Sequence, residues 1–290
     1  DKRGIGLSDR PEGLPTLTER IADVAAVMDE VGWDRCHLHG MSEGGLMAQL
    51  FAAHHPERVD RLHLHNTATP ARYGGQLADL RREGDAPVAW PMDLITGFTE
   101  VMEGWPENPQ TMVDWFMPSV RDNESFVRWQ GRMMRLSASP KDFRRQVEGV
   151  MQLDAGDAPE RIVNPTLITH NRGDQVIPIA HARLMGELIP NSRLVELDGD
   201  DHFSWVSSNW RETIDATIEF LSGSAARTTS SRRFATVLFT DIVDSTRQSA
   251  ALGDDGWRSV LDGHDRLARR LIGEHGGRVV KSTGDGLLAV

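Results

Sequence analysis

The pentapeptide Gly40-Met41-Ser42-Glu43-Gly44 joins a short apolar run, Arg35 to His39, to a helical pattern marked by Leu46, Met47, Leu50 and Phe51. Small residues around a serine at a strand-to-helix junction specify a tight turn. That turn lifts the hydroxyl above a sheet, at a helix N-terminus that favours developing negative charge. The sequence on either side supplies the sheet. Ile21, Val24, Ala25, Met28 and Val31 have helical spacing, with Thr16 or Thr18 as N-cap and Gly32 as the stop. Strands are predicted at 59–66, with Val59, Leu62 and Leu64 buried, and at 166–170 and 192–197; helices are predicted at 179–189 and 209–221. Strand, helix and strand in that rhythm predict a parallel sheet covered on both faces.

Two stretches break the rhythm. Residues 70–160 read as helical pieces rich in Trp and Met (Trp90, Trp105, Trp115, Trp129, Met102, Met112, Met133, Met134), an insertion of the kind that forms a cap. Residues 222–233, small, polar and basic, read as a linker. Beyond it, FATVLFT (234–240) reads as a buried strand, 245–252 and 255–275 as helices, and 278–290 as a hairpin turning at Ser282 to Gly286. A chain of 290 residues has the length for two such domains. DKRGIGLSDR (1–10) reads as a loop leaving a strand, so the fold is expected to begin before residue 1 and, by the same logic, to continue past the hairpin.

Charge and cysteine content narrow the partners. The net charge of −11 disfavours broad attraction to nucleic acid or anionic lipid. No apolar run approaches the ~18 residues of a membrane span. The single cysteine, Cys36, forms no intrachain disulfide, which suits a reducing cytoplasm. Lysine occurs only at 2, 141 and 281, which makes each lysine in a motif conspicuous.

A serine nucleophile requires a base, and the base an orienting carboxylate. Asp174 follows one predicted strand and His202 the next, in the chain order Ser42, Asp174, His202. With the Gly-x-Ser-x-Gly turn, this order resembles the α/β-hydrolase family over residues 1–221, lacking its first strands, with a cap at about 70–160. The resemblance implies a catalytic triad of Ser42, Asp174 and His202 and an oxyanion donor at the Glu43 amide, the second donor belonging to an earlier loop. It leaves open an esterase, a ligand sensor that uses the same turn without turnover, and a purely structural turn. Glu43 puts a carboxylate beside the nucleophile, either against an acyl oxyanion or out to solvent. His37, His39, His63 and His65 alternate along two strands without accompanying ligands, and read as core or sheet-end histidines rather than a metal site. The Trp and Met set reads as packing, with an apolar acyl or aromatic pocket as the alternative.

A second constellation lies in the last segment. FTDIVDST and Lys-Ser-Thr-Gly-Asp-Gly put Asp241 and Asp285 at neighbouring strand ends if those strands adjoin, an arrangement suited to Mg²⁺ on a substrate's phosphates. The two motifs together resemble the class III adenylate/guanylate cyclase family over 234–290, the N-terminal part of an α+β, ferredoxin-like domain. A fusion of actinobacterial type is implied. The resemblance further implies metal ligation (Mg²⁺ or Mn²⁺) by Asp241, Asp285 and the Ile242 carbonyl, purine contact by Lys281, which as a donor favours ATP, and a homodimer through that domain. Asp244 stands where many relatives carry glycine.

The resulting expectation is an α/β-hydrolase domain (1–221), a linker (222–233) and a partial cyclase domain (234–290), cytoplasmic, whose longer parent converts ATP to 3′,5′-cyclic AMP and pyrophosphate. The alternative is hydrolysis of a small ester or lipid-like ligand through Ser42, Asp174 and His202 with a degenerate second domain. A non-enzymatic ligand sensor is the third reading.

Overall fold

The computed structural model describes residues 1–80, 82–83, 85, 92–223, 237–282 and 284–290. The chain divides into two compact units, Asp1–Ala226 and Arg227–Val290. In the first, α1 (Leu17–Glu30) leads to β1 (Cys36–Met41), α2 (Glu43–His54) and β2 (Val59–His65). Helices α3 (Met92–Gly104), α4 (Pro109–Phe116), α5 (Glu124–Ser137), α6 (Pro140–Val150) and α7 (Ala158–Arg161) form the insertion. The sheet resumes with β3 (Thr166–Asn171), α8 (Ala180–Leu188), β4 (Ser192–Leu197) and α9 (Trp210–Ser222). Its four strands run parallel in the order β1-β2-β3-β4.

Local chemistry accounts for these elements. Thr16, not Thr18, caps α1: its hydroxyl accepts from the Glu19 amide at 3.2 Å, while the Glu19 carboxylate accepts from the Thr16 amide at 2.8 Å, a reciprocal capping box. Alternation along β2 sends Leu62 and Leu64 into a core with Phe51, Ile168 and Met185, all fully buried. The opposite face carries His63 and His65, and the Thr217 hydroxyl of α9 lies 3.4 Å from His63 Nδ1. In the insertion, Trp105 stacks on Phe143 with ring centroids 3.7 Å apart and Met134 is buried, whereas Trp129 and Met133 stand exposed. Packing therefore accounts for only part of the Trp and Met set; Trp90 lies outside the described residues.

One buried ion cluster ties the start of the insertion to the sheet. Arg183 on α8 donates from Nε to Glu196 Oε1 at 2.9 Å, from Nη2 to Asp85 Oδ1 at 3.1 Å, and from Nη1 to the Leu80 carbonyl at 2.8 Å. The guanidinium holds the Asp85 and Glu196 carboxyls below their usual range. Breaking a buried pair costs roughly 3–5 kcal/mol because it strands the remaining charge. Arg172 and Arg82 also reach Glu196, so the cost falls mainly on Asp85. Arg183→Met is expected to lose about 3 kcal/mol in urea unfolding, at the low end of that range. A loss below about 1 kcal/mol, the scale of exposed pairs, would show that the cluster behaves as surface charge.

The second unit contains β5 (Leu238–Asp241), α10 (Ser245–Glu274), β6 (Val279–Ser282) and β7 (Gly286–Ala289), with antiparallel strands in the order β5-β7-β6. Gly253, at φ 68° and ψ 172°, divides α10 into the two helical stretches expected from the sequence. The expected buried strand at 234–240 is corrected here. Residues 234–236 lie outside the described ones, and on β5 Leu238 and Phe239 are exposed, Phe239 at 72%. A three-stranded sheet of this size buries Leu287 and Ala289 on β7 but leaves apolar side chains of β5 and β6 open. The expected linker lies, from residue 224 onward, outside the described residues. Among the described residues no helix is long and apolar enough to cross a membrane.

Candidate active site

Ser42 sits between β1 and α2 at φ 52° and ψ −126°, a left-handed conformation that a non-glycine residue adopts only when its surroundings enforce it. Two glycines allow this. A Cβ on Gly40 would lie 2.5 Å from the Gly44 carbonyl oxygen, and one on Gly45 would lie 2.0 Å from Thr67 Oγ1. Gly44, the second glycine of the sequence motif, faces open space. The Ser42 side chain does not cap α2, and its amide donates to the His65 and Asn66 carbonyls at 3.2 Å each. The Glu43 amide is the first of α2, and the first amides of a helix have no intrahelical acceptor.

Asp174 and His202 follow the C-terminal ends of β3 and β4, at the same end of the parallel sheet as Ser42, which follows β1. His202 Nδ1 donates to Asp174 Oδ2 at 2.8 Å, and both side chains are completely buried. Asp174 Oδ1 accepts from the amides of Val176 and Ile177 at 2.9 and 3.1 Å, which fixes the carboxylate's rotation. With Nδ1 occupied, the other ring nitrogen is the free base. His202 Nε2 is buried and has no hydrogen-bond partner, so the link from Ser42 Oγ to the imidazole is open in this structure. Such links tighten when substrate arrives.

Three further residues frame the pair. Asn66, at the end of β2, is fully buried with φ 40°; its side chain accepts from the Asn171 amide at 3.0 Å and donates to the His202 carbonyl at 2.7 Å. The Phe116 carbonyl, at the end of α4, accepts from the His202 amide at 2.9 Å, and its ring meets the imidazole edge-on at 5.5 Å. Phe98, Phe203, Val113 and Val176 continue that apolar wall. His170, fully buried, donates from Nε2 to the Ile177 carbonyl at 2.7 Å, with Asp174 Oδ2 at 3.8 Å. Sequence reading missed all three. The one available signal was an asparagine directly after a strand, a residue type that tolerates positive φ.

Of the alternating histidines, His37 is exposed, and His39, His63 and His65 form a hydrogen-bonded row. His39 Nδ1 lies 3.0 Å from His63 Nδ1; the Thr169 hydroxyl joins His63 Nε2 at 2.8 Å and His65 Nδ1 at 2.6 Å; and His65 Nε2 meets Ser204 Oγ. Burial pushes His63 down to about 3 and His65 well below its usual value, which keeps the row neutral. No group of three His, Cys, Asp or Glu side chains placed to hold a metal occurs among the described residues. Glu43 does not simply point into solvent: its carboxylate pairs with Lys2 and with Arg20 of α1.

In the second unit, Asp241 pairs across the strands with Gly286, which brings Asp241 and Asp285 to the same end of the sheet. Hydrogen bonding from Ser245, then from its own backbone, lowers the Asp285 carboxyl. The Asp241 side chain is exposed and that of Ile242 half-buried. Lys281 is exposed on β6, an edge strand, opposite Leu288. Two carboxylates and the Ser245 hydroxyl thus share one open sheet end.

The family described as alpha/beta hydrolase fold matches residues 1–207. The chain is 30% identical to the pimeloyl-[acyl-carrier protein] methyl ester esterase of Aeromonas hydrophila subsp. hydrophila, over 67% of this chain and 71% of that one. It is 25% identical to 3-oxoadipate enol-lactonase 2 of Acinetobacter baylyi, over 68% of each. Among solved structures, the enol-lactonase from Burkholderia xenovorans LB400 superposes with a TM-score of 0.59 at 25% identity, covering 77% of this chain and 79% of that one. These relatives are hydrolases and overturn the expectation of an adenylate cyclase. The two short motifs in the last segment, FTDIVDST and KSTGDG, carried that reading.

Proposed function

Because the chain belongs to the alpha/beta hydrolase fold family, we propose that its first unit is a serine hydrolase acting on a small carboxylic ester with an apolar acyl group. The observation that carries this reading is the fully buried His202–Asp174 pair, with Nε2 left free, at the same sheet end as a serine held in a left-handed turn. Ser42 Oγ attacks the ester carbonyl carbon as His202 Nε2 takes its proton. Asp174 keeps the proton on Nδ1 and stabilises the imidazolium. The tetrahedral oxygen turns toward the Glu43 amide at the positive end of α2. Collapse breaks the carbon–oxygen bond, the alcohol leaves with the proton from His202, and water then cleaves the acyl-serine by the same steps in reverse.

Esterase and lactonase relatives support cleavage at an acyl carbon–oxygen bond. The Phe98, Phe116 and Phe203 wall against the imidazole supports an apolar acyl group.

A fluorophosphonate probe tests this directly. Phosphonylation is expected to map by mass spectrometry to the peptide containing Ser42, and p-nitrophenyl butyrate and benzoate are expected to be cleaved with higher kcat/KM than the acetate. A folded chain that neither labels nor hydrolyses any of these esters overturns the reading and leaves a binding role for the site.

A further inference from the structure

Glu43 is an awkward residue for the role its amide has. A carboxylate one residue from the nucleophile opposes the negative charge that collects on the tetrahedral oxygen. The structure answers this with two cations from separate segments. Arg20, on α1, is 5% exposed, and its Nη1 lies 3.5 Å from Glu43 Oε2. Lys2, one of three lysines in the chain, meets Glu43 Oε1. Arg20 is placed by packing: Nε donates to the Pro15 carbonyl at 3.4 Å, and a Cβ on Gly149 of α6 would lie 3.2 Å from Nη2. Glu43 Oε2 is buried and accepts no hydrogen bond, so its contact with Arg20 Nη1 is one of charge alone; Arg20 Nη2 is likewise buried without a hydrogen-bond partner.

We infer that Arg20, with Lys2, is a positioning residue that draws the Glu43 carboxylate toward α1 and neutralises it, so that the Glu43 amide meets the oxyanion without an opposing charge. This rests on the ester-hydrolase reading above. Arg20 touches neither substrate nor nucleophile; it acts through Glu43. The pairing also explains how a glutamate is tolerated at this turn, where its charge is fixed by position on the first turn of α2 and cannot swing freely into water.

The test is a double-mutant cycle on kcat for p-nitrophenyl butyrate and on the rate of fluorophosphonate labelling. Arg20→Met is expected to lower both by about ten- to a hundredfold, the scale of a unit charge released close to a developing one in a half-buried site, with KM changed less than about threefold. Made in the Glu43→Gln background, the same Arg20 substitution is expected to cost less than about threefold, because the charge it would release is gone. Arg20→Lys keeps the charge and is expected to retain activity within about fivefold, which covers the case in which the methionine variant does not fold. Equal losses in both backgrounds, with matched thermal unfolding, overturn the inference and leave Arg20 as a strut between α1 and the insertion. An unimpaired Arg20→Met also overturns it while leaving the hydrolase reading intact. A wild-type chain that does not label at Ser42 overturns both together.

Discussion

Ser42→Ala is expected to reduce ester hydrolysis by roughly a millionfold, leaving only what binding and oxyanion donors supply. Asp174→Asn is expected to cost about ten-thousandfold in kcat while the fold survives. The geometry gives the reason for the difference. An asparagine oxygen in the Oδ1 position still accepts from the amides of Val176 and Ile177, now at 2.9 and 3.1 Å, so the loop keeps its shape. Its amide nitrogen then replaces Oδ2, donates to His202 Nδ1, and drives the ring proton onto Nε2. The base is present, in place and in the wrong tautomer. Steady-state kinetics with p-nitrophenyl butyrate, paired with thermal unfolding, check both variants. Asp174→Asn within tenfold of wild type would show that the buried pair does not orient the base.

The second large effect is on stability. His63, His65, His170 and His181 are buried, and burial lowers all four, His63 and His181 to about 3. The unfolded chain, with imidazoles near 6.5, binds protons that the folded one refuses. Stability is therefore intact above about pH 6.5, falls as pH drops through 6.5, and levels off only below the folded values. Each such histidine contributes up to about 1.4 kcal/mol per pH unit in that window. Urea unfolding at pH 7.5, 6 and 5 is expected to show a loss of several kcal/mol, well above the range where carboxylates titrate. His181→Gln isolates one contributor. The His181 Nδ1 atom accepts from the Thr69 amide at 3.1 Å and from its hydroxyl at 2.9 Å, and a glutamine oxygen can do the same. The slope in that variant is expected to fall by about one proton's worth. Stability unchanged between pH 7.5 and 5 would show that these imidazoles take up protons without unfolding.

What was readable in advance follows the range of the forces involved. The apolar residues of one strand pointed to Val59, Leu62 and Leu64 as buried, and all three are fully buried, with Leu62 and Leu64 sharing the period of two. The cap of α1 fell to Thr16 rather than Thr18 because a glutamate three residues on completes a local pair of hydrogen bonds. Gly44 looked essential in the motif, yet it is Gly45 that Thr67 presses against, a contact made from the segment after β2 and invisible to spacing. Asn66, Phe116 and Arg20 escaped notice for the same reason: each matters through a partner distant in the chain. The misreading of the last segment has the opposite origin. FTDIVDST and KSTGDG are locally suggestive, and Asp241 and Asp285 do come together, but a function needs the surroundings as well as the motif.

Asn66 has a consequence beyond its own bonds. Its backbone links to Ser42 and Thr169, and its side chain holds the Asn171 amide and the His202 carbonyl. Nearly all of these are main-chain groups, which every amino acid except proline offers in full. Substitutions among the side chains of the surrounding loops can therefore leave the main-chain frame around Ser42 and His202 in register.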